Sequence, residues 1–339
     1  MKVLTFGELL LRLSSPGYEK LFQSDVFRTS FCGGEANVAV SLANFGLDSC
    51  FVTKLPNTDV GKAAMHSLDY FNVDTSNIIL GDGRMGLYYL EKGASQRPSK
   101  IIYDRAFSSI ACANPTEFDW DKLFNKVNWF HWTGIDPALS TNVYEIILSA
   151  CKKAKAKGIV VSCDLNYRKK LWSSEEAQKS MKTLMSYVDV CVANEEDVQM
   201  SLGIEIKNND VSNAKLNIEG YKQLAKIMID TYGFKYVAFT LRESYSASLN
   251  GWSALLYHNG KSYLSKSYDI NLVDRVGGGD SFAAGLIYGL ATRMNDQDAI
   301  EFAVAASCLK QTIEGDFNRS TVEEVLSLAK SSGSGRIER

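Results

Sequence analysis

The sequence contains no run of eighteen consecutive apolar residues, the length a membrane-crossing helix requires. Its N-terminus reaches the acidic Glu8 after only a few apolar residues, too early for a secretory leader. These absences lead us to expect a cytoplasmic protein without a membrane partner. An excess of one charge is missing too: 37 Lys plus Arg stand against 39 Asp plus Glu, a net charge of -2. Without a basic field to hold a polyphosphate backbone, nucleic acid is not an expected partner. The seven cysteines (32, 50, 112, 151, 163, 191 and 308) are odd in number and never closer than twelve residues. Neither a disulfide framework nor a CxxC metal site is suggested, and reduced, mostly packed thiols are expected. The histidines at 66, 131 and 258 lack ligand spacing.

What is present is apolar material for a large core. Of 339 residues 45% are hydrophobic, including 16 Phe, 16 Tyr and 5 Trp, which excludes wholesale disorder and suggests about two domains or one large α/β unit with an appendage. Short β-branched or aromatic runs at 3–6, 50–54, 129–133, 159–164, 188–193 and 236–241 alternate with helical periods near 35–45, 141–157, 174–186 and 219–232. This is the pattern of a doubly wound, mostly parallel sheet flanked by helices. In the first helical period Ala36, Ala39, Val40 and Ala43 fall at i, i+3, i+4 and i+7, with Gly46 where a helix ends. Residues 86–106 interrupt the alternation: two aromatic-rich runs flank a polar turn with no helix between them, which predicts a hairpin. With residues 9–30 this hairpin would form a small β-sheet, either a lid that excludes water from a site beneath it or a plain edge extension. We therefore expect one α/β domain over 1–330, lid segments at about 9–30 and 86–106, and a flexible tail at 331–339.

Chemistry concentrates at Gly277, Gly278 and Gly279, directly before Asp280 and an Ala-rich helix. Consecutive glycines let main-chain N–H groups point into one concavity, and the helix N-terminus adds about half a positive charge. That predicts an anion site. Asp280 in the first turn is either a residue favoured by the helix dipole or a general base beside the anion. The spacing is neither the P-loop nor the strand–GxGxxG fingerprint.

Together with Gly-Gly-Glu-Ala-Asn at 33–37, Asp-Leu-Asn-Tyr-Arg at 164–168 and Asn-Glu-Glu-Asp at 194–197, this loop resembles the ordered motifs of ribokinase-like (PfkB) carbohydrate kinases over about residues 1–330. Within that family Gly-Leu-Tyr at 86–88, Tyr-Asp-Arg at 103–105, Asn-Tyr-Arg at 166–168 and Gly315-Asp316 are most similar to the 2-keto-3-deoxygluconate kinases. The resemblance implies a ribokinase-like fold with a β lid, ATP as donor and Mg²⁺ as neutralising ion, and it allows for a monovalent cation. It implies Asp280 as base and Gly277, Gly278 and Gly279 as the anion hole. Gly34 and Asn37 would contact sugar hydroxyls, while Tyr88, Tyr103, Arg105, Arg168 and Asp316 would contact the keto acid. Asn194, Thr240 and Arg242 would lie on the nucleotide side, and Asp197 would order metal-bound water. The sequence departs from the family in two places that matter: Asp197 stands where Glu is usual, one methylene shorter, and Arg242 replaces a common Gly at the nucleotide edge.

A sugar acid needs fixed cations where a neutral sugar needs hydroxyl partners, and guanidinium offers a planar fork to a carboxylate. Arg168 follows a predicted strand at the sheet's carboxyl edge, and Arg105 lies on the expected lid. The expected reaction is ATP-dependent phosphorylation of 2-keto-3-deoxygluconate at its terminal hydroxyl. The alternatives are a fructokinase- or ribokinase-type enzyme of the same fold, or a catalytically silent sugar-binding regulator. An aromatic-rich lid face also suggests a homo-oligomer.

Overall fold

A computed structural model describes residues 1–205 and 217–331. The tail expected at 331–339 therefore lies outside the described residues, Ser331 excepted. Among the described residues a nine-stranded sheet runs in the order Lys261–Leu264, Leu249–His258, Tyr236–Ser244, Val190–Ala193, Val160–Asp164, Trp129–Thr133, Lys2–Phe6, Asp48–Val52, with Tyr268–Asn271 also paired to Leu249–His258. The pairings from Asp48–Val52 through Tyr236–Ser244 are parallel, and the strands beyond are antiparallel.

Both faces of this sheet are covered, so its strands are apolar on both sides. Successive residues alternate between two cores: Leu4, Phe6, Phe130, Trp132 and Cys191 join one, whereas Val3, Trp129, Val190 and Val192 join the other. His131 is fully buried in its strand beside Ser162 Oγ at 2.8 Å, and burial lowers its pKa to about 3, so it is neutral.

The hairpin expected at 86–106 is present as Gly86–Glu91 antiparallel to Lys100–Asp104. These strands join Leu10–Ser14 and Arg28–Cys32 in a separate four-stranded sheet. Among the described residues no helix is long and apolar enough to cross a membrane. Six of the seven cysteines are buried, Cys112 is exposed, and none forms a disulfide.

Candidate active site

The large sheet ends its strands on one side, and that edge collects polar residues. Thr133 and Asp164 terminate their strands, and Asn194 directly follows Val190–Ala193. Open α/β sheets bind ligands at this carboxyl edge because helix N-termini converge there. Two helices begin over it: Gly34–Asn44 and Gly278–Ala291.

Their sequences explain the geometry. Gly33 must be glycine because a Cβ there would lie 2.1 Å from the Glu8 carbonyl oxygen. Gly277 adopts φ 83°, and a Cβ on it would meet the Asp316 carbonyl oxygen at 2.1 Å. A Cβ on Gly279, by contrast, would meet nothing within 4 Å. The loop is thus pressed against Asp316 at one glycine and open at another, a cradle at a helix N-terminus suited to an anion.

Asp280 follows that open position in the first turn. Its carboxylate accepts a hydrogen bond from Asn37 Nδ2 at 2.6 Å, and a Cβ built on Gly34 would lie 3.7 Å from its other oxygen. Gly34, Asn37 and Asp280 therefore meet at one point. Burial pushes the Asp280 carboxyl up to about 6, the Asn37 hydrogen bond opposing and Asp316 adding to the rise. Behind it lie two further buried carboxyls: burial and then Asp280 push Glu35 to about 7, and burial and then Glu35 push Asp136 well above the usual range.

Asp164 and Asp197 border the same edge. Burial pushes Asp197 up to about 6 against the opposing charge of Arg168, and its Oδ1 accepts the Tyr167 amide at 3.0 Å. That amide is aimed by Asn166, a non-glycine residue at φ 39°. Burial and then Asp197 and Asp280 raise Asp164, with Arg168 again opposing. Asn194 caps Glu195–Leu202, accepting the Asp197 amide at 2.8 Å. Thr240 and Arg242 sit on Tyr236–Ser244, half-buried and exposed respectively, and Arg242 repels Arg275 beside the glycine loop.

The expected acid contacts divide. Arg168 donates to the Tyr167 carbonyl at 2.9 Å and forms no close ion pair among the described residues, while its charge opposes the rises of Asp164, Asp197 and Asp280. Arg105 does not present the free lid cation expected from sequence. It is buried, its Nε donates to Glu8 Oε2 at 2.6 Å, its Nη2 bridges the same carboxylate, and its guanidinium lies 5.3 Å from the Tyr103 ring centre. Tyr88 and Asp316, also expected to contact the keto acid, are joined to each other. The Tyr88 hydroxyl donates to Asp316 Oδ2 at 2.7 Å, both residues are buried, and the other Asp316 oxygen is paired with Arg12. Tyr103 packs on Tyr88 with ring centres 5.7 Å apart and remains half-buried.

Sequence reading missed Glu8, Arg12, Asp164, Arg275 and Lys310. Each is a single charged residue outside a repeated pattern; of the five only Asp164 lies within a motif, the Asp-Leu-Asn-Tyr-Arg segment at 164–168.

The family model described as pfkB family carbohydrate kinase matches residues 1–320. The crystal structure of a 2-dehydro-3-deoxygluconokinase from Thermotoga maritima is 50% identical, with a TM-score of 0.94 over 98% of each chain. A 2-dehydro-3-deoxygalactonokinase from Haloferax volcanii is 32% identical over 96% of this chain and 95% of its own. A putative ribokinase II from E. coli, solved with ATP and Mg²⁺, shares the fold at 18% identity and a TM-score of 0.80, over 97% of this chain and 99% of its own.

Proposed function

The chain belongs to the PfkB family of carbohydrate kinases, and from that premise we propose that it phosphorylates 2-keto-3-deoxygluconate (2-dehydro-3-deoxygluconate) at its terminal hydroxyl, giving 2-keto-3-deoxy-6-phosphogluconate. The observation that carries the acid substrate is Arg168, an unpaired guanidinium at the carboxyl edge that shares its surroundings with Asp280. The names of relatives acting on 2-keto-3-deoxy acids support the same reading.

Asp280 takes the proton from the attacking hydroxyl, and Asn37 and Gly34 orient that hydroxyl against it. The amide of Gly279, at the start of a helix of 14 residues, stabilises charge on the transferred group. Arg168 receives the substrate carboxylate, while Arg105 acts from the lid through its pairing with Glu8. Tyr103 closes the lid side. Tyr88 and Asp316 hold the lid to the glycine loop rather than touching the acid. Asn194, Thr240 and Arg242 border the nucleotide.

ATP supplies the phosphoryl group, and Mg²⁺ would offset its charge. The residues present fit that ion: Asp197 and Asp164 offer hard oxygen donors, and among the described residues no three acidic, His or Cys side chains cage an ion by themselves. Mg²⁺ characteristically keeps waters and takes one or two carboxylates plus substrate phosphates. A second copy of the chain against the lid belongs to this reading, supported by Phe22, Val26 and Ile102 exposed on the lid segments; the molar mass in solution tests it.

The deciding experiment is turnover with ATP and Mg²⁺ on a panel of neutral sugars, aldonates and 2-keto-3-deoxy acids. Preference for 2-keto-3-deoxygluconate is expected, and preference for fructose or ribose would replace the reading with a neutral-sugar kinase.

A further inference from the structure

Lys310 is the one lysine among the described residues with no solvent exposure. It lies near the end of Asp296–Gln311, and its Nζ donates to the backbone carbonyl of Asp274 at 2.9 Å. Asp274 stands three residues before Gly277, at the foot of the anion loop. The next residue of the helix, Gln311, accepts the amides of Val273 and Asp274 at 3.0 and 3.2 Å. Ser307, one turn earlier, donates to the Gly278 carbonyl at 2.7 Å. One helix therefore grips the loop on both sides of its bend.

The charges around Lys310 are two buried carboxylates, Asp274 and Asp316, and the buried Arg12, with Asp280 beyond. The Asp274 carboxylate accepts Arg12 Nη2 at 2.5 Å, the Gly315 amide at 3.2 Å and the Val276 amide at 3.2 Å. Asp316 takes Arg12 and Tyr88. Arg12 offsets only one of the two negative charges. Without Lys310 a net negative charge would remain buried against a loop whose amides must attract phosphate.

We infer that Lys310 is a positioning residue for phosphoryl transfer, an internal cation that fixes the Asp274 carbonyl beneath the glycine loop and leaves the buried cluster neutral. It touches no reactant. It acts through the direction of the loop amides, and the inference rests on the kinase reading above. The burial of an ammonium in this place costs desolvation, which the two buried carboxylates beside it offset.

Two variants separate positioning from packing. Lys310→Ala removes the ammonium and opens a cavity, whereas Lys310→Met removes the ammonium and keeps the stem. With ATP, Mg²⁺ and 2-keto-3-deoxygluconate, both should lose about 10- to 100-fold in turnover, with a raised KM for ATP and a nearly unchanged KM for the acid. Ammonium or methylammonium chloride should restore much of the turnover of the alanine variant, which has room for the ion, and little of that of the methionine variant. Tetramethylammonium chloride at equal ionic strength should restore neither. Turnover of either variant within a few-fold of wild type overturns the inference, as does a folded alanine variant that no small cation revives. Should neither variant fold, Lys310→Arg decides: it keeps the charge but not a single Nζ on the Asp274 carbonyl, so turnover should fall with the KM for the acid nearly unchanged, and wild-type turnover overturns the inference. If wild type prefers another sugar of the panel, the substrate reading fails by itself, and the same comparison is made on that sugar.

Discussion

Asn37 and Asp280 are 243 residues apart in sequence, yet the side-chain amide of the first donates to the carboxylate of the second at 2.6 Å. The bond ties the N-terminal turn of one helix to that of another over the sheet's carboxyl edge. It also stabilises the charged form of Asp280, the form a base requires.

Asp280→Asn keeps the shape but cannot accept the proton. Turnover should fall by about 10²–10⁴ with little change in nucleotide affinity. Steady-state kinetics check this, and turnover within a few-fold of wild type would remove Asp280 from the base role.

Because burial holds the Asp280 carboxyl near 6, kcat/KM should decline by about tenfold per pH unit below that value as the base becomes protonated. Asn37→Leu removes a hydrogen bond that favours the carboxylate, so the pKa rises and the acid limb moves to higher pH. A limb that stays in place when Asn37 is replaced would assign it to another group.

Gly279 and Gly277 should respond differently. A Cβ on Gly279 meets nothing within 4 Å, so Gly279→Val should fold with a near-normal Tm and lose transfer by obstructing the phosphates. Gly277 is at φ 83° against the Asp316 carbonyl, so Gly277→Ala should lower Tm as well as activity. Equal thermal stabilities for the two variants would contradict this division of labour.

Arg168→Met should raise the KM for the keto acid about 10- to 150-fold, the equivalent of about 1.5–3 kcal/mol for a charged hydrogen bond, while barely altering that for ATP. Arg168→Lys should recover part of the loss, since a point ammonium cannot reproduce the fork. Weak activity on fructose should be insensitive to both. Arg105→Met should lower turnover and stability together, because it strands the buried Glu8 carboxylate.

Arg12→Met leaves Asp274 and Asp316 facing each other with their shared cation gone. Removal of one member of a buried ion network costs about 3–5 kcal/mol. Denaturant unfolding should register a loss of that order, and a loss below about 1 kcal/mol would show the network to be well hydrated.

The alternating sheet, the hairpin and the helix beginning at Gly34 were legible because local periodicity encodes them. The glycine loop was legible because three adjacent glycines have few other uses. What sequence could not show is which charges neutralise one another. Arg12 and Asp316 are separated by 304 residues, and Arg105 and Glu8 by 97, distances at which a charge on its own looks like any solvated surface residue. Tyr88 and Asp316 matched substrate-contact positions, yet the fold turns them toward each other. Asp197 lies at the same edge, its carboxylate accepting the amide of Tyr167, which follows the positive-φ Asn166.

The network of Arg12, Asp274 and Asp316 also has a consequence for biosynthesis. Arg12 emerges from the ribosome 262 residues before Asp274 and 304 residues before Asp316. Until they arrive, burying its guanidinium would leave a bare charge in the interior, so the small sheet cannot settle into its final seat during most of translation. The central strands have neighbours early and can assemble in order. Closure of the molecule, and with it the competence of the glycine loop, therefore waits until Asp316 has emerged, and a chain truncated before residue 316 should keep much of its helical and strand content while remaining unable to turn over substrate.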